Sequence, residues 1–246
     1  MNTSVIEAIE RQKTTNLYDA SKSIPDDEIR ELVRLATFSP TAFHLQNWRF
    51  IAVRSPDAKA RLQAVAADQP KVTEAAVTFI MVGELAVADV MADRLAGSVA
   101  AGFMPVEMVP GWEAAAKSIY FEKPQTQRDE AIRSATFGAS GLIHAAQAMG
   151  LGTTPMIGFD PVGVSREFSL SDNEVPALLV AVGYPTEANW PQKPRRPISD
   201  VLAFAYLFKP AEAWRGRDLG PALHLGTAWA FHRGVSKCLR RARYSR

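Results

Sequence analysis

The stretch Ser39-Pro40-Thr41-Ala42-Phe43-His44-Leu45-Gln46-Asn47-Trp48-Arg49-Phe50 decides how this chain is read. Pro40 disfavours helical dihedrals at Ser39, so a helix should end just before it. Trp48-Arg49-Phe50-Ile51-Ala52-Val53 is aromatic and β-branched, so a strand should begin just after the loop. Between them lie Ser, Thr, His, Gln and Asn. A polar loop held at both ends by regular elements can turn backbone N–H groups and short side chains toward a ligand. An ordinary helix-to-strand connection has the same composition, so the stretch has to be weighed with its surroundings.

Upstream, Pro25 opens the helix that ends there, with Ile29, Leu32, Val33 and Ala36 on one face. Before it, Ser4-Val5-Ile6-Glu7 has the spacing of a capping box, which predicts a first helix to about Lys13. Residues 11–19 are cationic and hydroxyl-rich without periodicity. Downstream, Ser55-Pro56 reads as the N-cap and first residue of a helix carrying Leu62, Val65 and Ala66 inward. Asp68-Gln69-Pro70-Lys71 is a polar break before a buried strand at 76–82. Residues 84–123 read as helical, broken by Gly97, Gly102, Pro105, Pro110 and Gly111, a mobile excursion over a site. Residues 128–149 give the strongest helical pattern, ending at Gly150 in the C′ position. Its Gly138, Gly141, Ala135, Ala139, Ala145 and Ala146 would let another helix approach closely. Strands at 153–157 and 177–182 flank a short helix capped by Asp160-Pro161.

The chain has 246 residues, 47% hydrophobic and 22% charged, with a net charge of +2, ordinary values for a globular protein with a sizeable core. The balance of charge demands neither nucleic acid nor a membrane. Cys238 is the one cysteine, so no internal disulfide forms, and no zinc spacing occurs. A reducing, cytoplasmic setting is the expectation. No signal-peptide pattern opens the chain, and no apolar run approaches the ~18 residues of a membrane span. No G-x-G-x-x-G follows a strand, and the strands are too few for a doubly wound sheet. After about Lys209 the character changes. Arg233, Lys237, Arg240, Arg241, Arg243 and Arg246 come with no acid among them, the pattern of a solvated or disordered terminus.

Four separated segments, 11–16, 39–46, 68–71 with 155–158, and 193–196, set cations or hydroxyls beside turns. Each has a plain reading alone. Arg11 and Lys13 complement a helix C-terminus, Lys71 is a surface lysine, Gly158 is a turn residue, and Lys193, Arg195 and Arg196 belong to a solvated Pro-rich loop. Together they also offer what a flavin mononucleotide needs: cations for its phosphate, a donor at its pyrimidine edge and a backbone donor at N5.

The opening stretch resembles the S-P-[ST]-x-x-N-x-Q-x-W-x-F signature of the FMN-dependent nitroreductase family, with His44 where the family usually has Asn. The resemblance covers about residues 5–205. It implies an α+β, three-layer α/β/α fold: a mixed, largely antiparallel sheet flanked by helices, in an intertwined homodimer. It divides the chain into an FMN-binding domain at 1–208 and a basic extension at 209–246. The family's N-terminal signature, aligned on Thr14 and Tyr18, puts Gln12, Lys13, Thr14 and Asn16 on cofactor positions. Gln12 stands where the family has Arg, so Arg11 either reaches the phosphate from one residue earlier or that contact weakens. The K-x-R match places Lys193 and Arg195 on the phosphate. The G-L-G-x-x-P-x-x-G match places Pro155, Met156, Ile157 and Gly158 beside the ring, with the N5 donor at Ile157 or Gly158. Lys71, or alternatively Asp68 or Gln69, takes the N1 and O2 edge, and Ser134 is a further polar position. Ser39, Pro40, Thr41, Ala42 and His44 reach the flavin, by resemblance from the partner subunit. His44 is either a substrate-side donor or a stand-in for Asn. Trp48 and Phe50 support the loop, and Phe103, Tyr120 and Phe121 either roof the flavin or pack elsewhere.

The reaction this implies is ping-pong, with NAD(P)H as donor and a small molecule such as a nitroaromatic or quinone as acceptor, and with no catalytic side chain required beyond the flavin. Two alternatives remain at this level. The same fold could run another flavin reaction, such as dehalogenation, flavin fragmentation or semialdehyde reduction. Or the basic tail could make the chain a non-enzymatic nucleic-acid binder, which would be colourless and bind RNA in a salt-dependent way.

Overall fold

In the computed structural model, which describes residues 5–204, the chain runs α1 (Val5–Arg11), α2 (Asp26–Ala36), β1 (Trp48–Val53), α3 (Pro56–Ala64), α4 (Lys71–Glu74), β2 (Val77–Glu84), α5 (Met91–Ala100), α6 (Val109–Tyr120), α7 (Pro124–Ala148), β3 (Gly152–Met156), α8 (Pro161–Glu167) and β4 (Glu174–Gly183). Two compact units are distinguished, Met1–Pro194 and Arg195–Arg246. In the second, a 3-10 turn spans Ile198–Asp200, and Arg196 donates to the Asp200 carbonyl at 3.0 Å. The expected boundary at 208/209, the basic segment 209–246 and the Ser4 cap lie outside the described residues.

Local chemistry sets the boundaries. The Ser55 hydroxyl accepts from the Ala58 N–H at 3.3 Å at the start of α3, and Asp160 accepts from the Val162 N–H at 3.0 Å at the start of α8. Gly150, at φ 77°, takes the left-handed position that ends α7. α1 stops at Arg11 rather than Lys13, because the following backbone turns to the edge of β3: Thr14 bridges Thr153, and the Thr15 N–H donates to the Thr153 carbonyl at 2.9 Å. The expected breaks at Gly97, Pro110 and Gly111 do not occur. Gly97 lies within α5, and Pro110 sits in the first turn of α6, where its missing N–H costs nothing.

The four described strands form one antiparallel sheet in the order β1-β2-β4-β3. Central β2 and β4 are apolar on both faces because helices cover both. Val77, Phe79 and Met81, with Val180 and Val182, join Leu32 of α2 and Leu142 of α7 in one core. Ile80 and Val82, with Leu179 and Ala181, join Leu62 of α3, Val72 of α4 and Val164 of α8 in another. A third cluster ties Leu45 and Ala86 to Met91, Leu95, Ala116 and Tyr120 of the 84–123 region.

The small face of α7 takes the close approach expected of it from α2. Gly141 lies against the Ala36 backbone of α2 and the Ser39 side chain, and Gly138 lies against the rings of Phe50 and Trp48. Ala135, Ala139 and Ala146 are fully enclosed. Within this chain that close approach is to α2 and to the rings of β1.

Arg49 of β1 reaches across β2 to Glu174 of β4 in a two-pronged pair, Nε to Oε1 at 2.5 Å and Nη2 to Oε2 at 2.9 Å, and the Ser171 N–H and hydroxyl also donate to Glu174. Burial pushes the Glu174 carboxyl up, but these donors prevail and hold it below the usual carboxylate range. A depressed folded value contributes stability above the unfolded pKa and loses it as pH falls through the folded one. Glu174→Gln should therefore cost about 1–2 kcal/mol at pH 7, with the gap to wild type closing in acid. Urea denaturation at pH 7 and pH 3 checks this, and an equal gap at both contradicts it.

Candidate functional site

The segment 12–18 runs along the free edge of β3 and is fixed there by buried polar groups. The Thr154 hydroxyl donates its proton to the Thr15 carbonyl, so in its 2.7 Å bond with Tyr18 the phenol is the donor. The same phenol lies 3.2 Å from the Ala181 carbonyl. Burial pushes the Tyr18 hydroxyl well above its ordinary pKa. Gly152 makes the approach possible, since a Cβ there would collide with the Thr15 side chain. Tyr18→Phe should cost about 1–3 kcal/mol by leaving buried acceptors unmet. Thermal or urea unfolding measures it, and a neutral result would contradict this anchoring.

Two further segments close on this one. Lys71, at the first turn of α4, donates from Nζ to Asn16 Oδ1 at 3.1 Å, across 55 residues of sequence. Gln69 donates from Nε2 to the Gly158 carbonyl at 2.8 Å, joining the approach to α4 to the turn after β3. Asn189 accepts at Oδ1 from the N–H groups of Asn16 at 2.6 Å and Leu17 at 3.0 Å, and donates to the Leu17 carbonyl at 2.7 Å. Gln192 donates to the Gln12 carbonyl at 2.5 Å. Lys13 and Lys193 each follow one member of that bonded pair, and the Lys193 ammonium lies 6.0 Å over the Trp190 ring.

The sequence-derived residues thus fall into several places. Gln12, Lys13, Thr14, Asn16, Lys71, Gly158 and Lys193 are brought together through these bonds. Pro155 and Met156 end β3, Met156 buried and Pro155 exposed, while Ile157 stands beyond the strand at 83% exposure. Arg11 is exposed at the end of α1 and lies 3.7 Å from Glu7 on the same helix. Asp68 sits in a turn with φ 52°. Ser134 is fully enclosed on α7, its hydroxyl 3.5 Å from buried Glu130, which pairs with Arg133. Tyr120 joins this node, its hydroxyl pushed up to about 12 by burial and then by the Glu130 charge. Tyr120 is therefore core and not roof, whereas Phe103 and Phe121 are exposed. Arg195 opens the second unit and is exposed there.

The loop at 39–46 enters β1, at the sheet edge opposite β3, so within one chain it is not brought to the Asn16–Lys71 group. The Ser39 hydroxyl donates to the Phe137 carbonyl at 3.0 Å, and the Thr41 hydroxyl accepts from the Gln46 N–H at 3.0 Å. Pro40 is exposed and Ala42 half-buried beside them. Phe43, His44 and Gln46 have φ of 52°, 56° and 46°, a left-handed run that costs energy outside glycine. Phe43 holds the run by packing edge-on against Trp112 and Tyr120, each 6.2 Å between ring centres. His44 is exposed and accepts at Nε2 from the Gln46 amide at 2.8 Å.

Sequence reasoning missed Asn189 and Gln192. The only signal was their type: short or flexible amides in a Pro-rich loop, able to satisfy a neighbouring irregular backbone.

This arrangement can be set beside known proteins. The model of the Nitroreductase family matches residues 9–184. YodC of Bacillus subtilis, named as a candidate NAD(P)H nitroreductase, is 28% identical over 199 residues, 81% of this chain and 98% of that protein. A Thermus thermophilus protein named NADH dehydrogenase is 30% identical over 180 residues, 73% of this chain and 85% of its own length. Among solved structures, a candidate nitroreductase of Exiguobacterium sibiricum in complex with FMN superposes with a TM-score of 0.76 at 24% identity, covering 82% of this chain and 97% of that one. With a family model spanning most of its described length and the β3-edge group assembled as above, the chain belongs to the nitroreductase family.

Proposed function

We propose that this chain is an FMN-dependent oxidoreductase that takes reducing equivalents from NAD(P)H and delivers them to a small acceptor, a nitroaromatic or quinone, in a cytoplasmic setting. The observation that carries this reading is the Lys71–Asn16 bond with its neighbours, which gathers a flavin's distinct requirements along one sheet edge. The donor set fits the group. Lys13, Thr14 and Lys193 offer two ammonium groups and a hydroxyl at the end suited to a phosphate. The Lys71 ammonium, with one of its protons engaged by Asn16, has others to give to a carbonyl-rich edge. The exposed Ile157–Gly158 turn offers backbone N–H groups at the far side. The chemistry supplied by bound FMN is two-electron transfer from NAD(P)H to the acceptor in two half-reactions.

The chain's own groups bind and orient. Asn16 points the Lys71 ammonium, and Asn189 and Gln192 keep residues 12–17 from drifting. A second copy of the chain supplies the 39–44 loop, whose His44 faces the acceptor. Exposed Val5, Ile6 and Ile9 on α1, with Phe38 and Phe137, support an interface with that copy. Lys193→Ala should weaken FMN binding about tenfold or more, by loss of a charge-assisted bond. Fluorescence titration of the apoprotein with FMN reads the change, and unaltered affinity would remove Lys193 from the phosphate.

A further inference from the structure

We propose that a cavity formed by the loop at 20–23, the end of β1 and the facing ends of α3 and α4 is a second anion site, fitted to a phosphate ester of a small molecule. The cavity holds about 350 Å³ and is lined by Lys22, Arg54 and Lys59 and by Ser21, Ser23 and Ser55, with the Ser21 hydroxyl donating to Asp19 at 2.5 Å. It does not include Lys71, Asn16 or Lys193, and it lies at the C-terminal end of α4, whereas Lys71 opens that helix. The proposal therefore stands independently of the flavin reading.

Lys59 is held by neutral groups, whereas Arg54 and Lys22 each also pair with a carboxylate. Lys59 donates from Nζ to the Thr73 carbonyl at 3.3 Å and to the Ala75 carbonyl, both at the end of α4. Those carbonyls carry no net charge. Arg54 donates to the Ile24 carbonyl at 2.9 Å and pairs with Asp26. Lys22 pairs with Asp19 at 3.2 Å and lies 5.5 Å over the Tyr184 ring. Glu74 is the one acid among the lining residues, and Asp19 and Asp26 stand behind Lys22 and Arg54, so Lys59 is the cavity cation held by carbonyls rather than by a carboxylate. The consequence is visible on Lys59: burial first, and the nearby Arg54 charge second, hold its ammonium below the ordinary lysine pKa. A half-buried ammonium beside a guanidinium is relieved by an anion placed between them.

The polar lining suits phosphate in particular. Ser55 caps α3 through its oxygen, so its hydroxyl proton is not used in the cap, and the nine-residue helix α3 has its positive end at this residue. Ammonium, guanidinium and hydroxyl groups together make the short, charge-assisted bonds that phosphate oxygens accept. The volume lies at the low end of the ~300–1,000 Å³ of ligand pockets. That accommodates a phosphate with a small organic group and excludes a dinucleotide.

Isothermal titration of the full chain as purified, with inorganic phosphate in one arm and glycerol 3-phosphate in the other, tests this. Saturable one-site binding is expected, tighter for the ester, and weakened about tenfold in Lys59→Gln. Lys22→Ala, which alters only a surface pair, should weaken it in the same direction and serves if Lys59→Gln fails to fold. Lys117→Ala, on α6 and outside the cavity lining, should leave the titration unchanged. No saturable binding of either probe, wild-type affinity in both cavity variants, or loss of binding in Lys117→Ala overturns the site. Inorganic phosphate binding as tightly as the ester overturns the assignment to an ester.

Discussion

Lys71→Ala should lower NAD(P)H-dependent turnover by about 10²-fold, the scale of removing one preorganised donor aimed at developing charge. The ammonium is half-buried and held 3.1 Å from Asn16 Oδ1, so it is positioned before any ligand arrives. In the proposed reading it faces the ring edge where negative charge accumulates on reduction, and its loss should also make the flavin harder to reduce. The midpoint potential of the bound cofactor should fall, a readout a merely structural lysine would not move. Stability should change by no more than about 0.5 kcal/mol, because Lys71 supports no core contact. Asn16→Ala keeps the charge and loses its aim, so a smaller loss of turnover, about tenfold, is expected. An unchanged potential in Lys71→Ala would place the lysine elsewhere than at the ring.

Gly152→Val should destabilise the chain by about 3 kcal/mol and empty the site at the same time. Thr15 is 2% exposed, and a Cβ at position 152 would collide with its Oγ1 and lie 3.0 Å from its Cβ and Cγ2. Neither residue can yield. Thr15 is bonded through its N–H to Thr153 and through its carbonyl to Thr154, and Gly152 lies in the ladder opposite Gly183. The 12–18 segment would have to leave the β3 edge, carrying Asn16 away from Lys71 and Gln12 away from Gln192. Urea unfolding together with FMN content per chain measures both effects, and Gly152→Ala should show the same pair of changes in milder form. Full FMN content in Gly152→Val would separate the edge segment from the cofactor.

Much of the frame was readable from residue types because its signals are local. Trp48–Val53 forms a strand over the expected residues, and Pro25, Ser55, Asp160 and Gly150 mark helix ends by side-chain or backbone chemistry within a few positions. What sequence could not supply was partnership. Gly138 and Gly141 announce a close approach, but whether α2 or another molecule answers depends on where α7 sits in the core. Lys71 and Asn16 are unremarkable surface types until the β3 edge brings them within a hydrogen bond. Asn189 and Gln192 were illegible for the same reason, since their partners in the 12–17 segment lie more than 170 residues away in sequence. Ser134 shows the reverse case: a polar residue on a cofactor-like position turns inward because Glu130, four residues before it on the same helix, takes its hydroxyl.

The most direct measurement is the visible absorption spectrum of the purified chain, followed by identification of what denaturation releases. The account predicts a yellow protein with an oxidised flavin band, FMN released at about one per chain, and bleaching on addition of NADH or NADPH. A colourless protein that takes up no FMN from solution would contradict it.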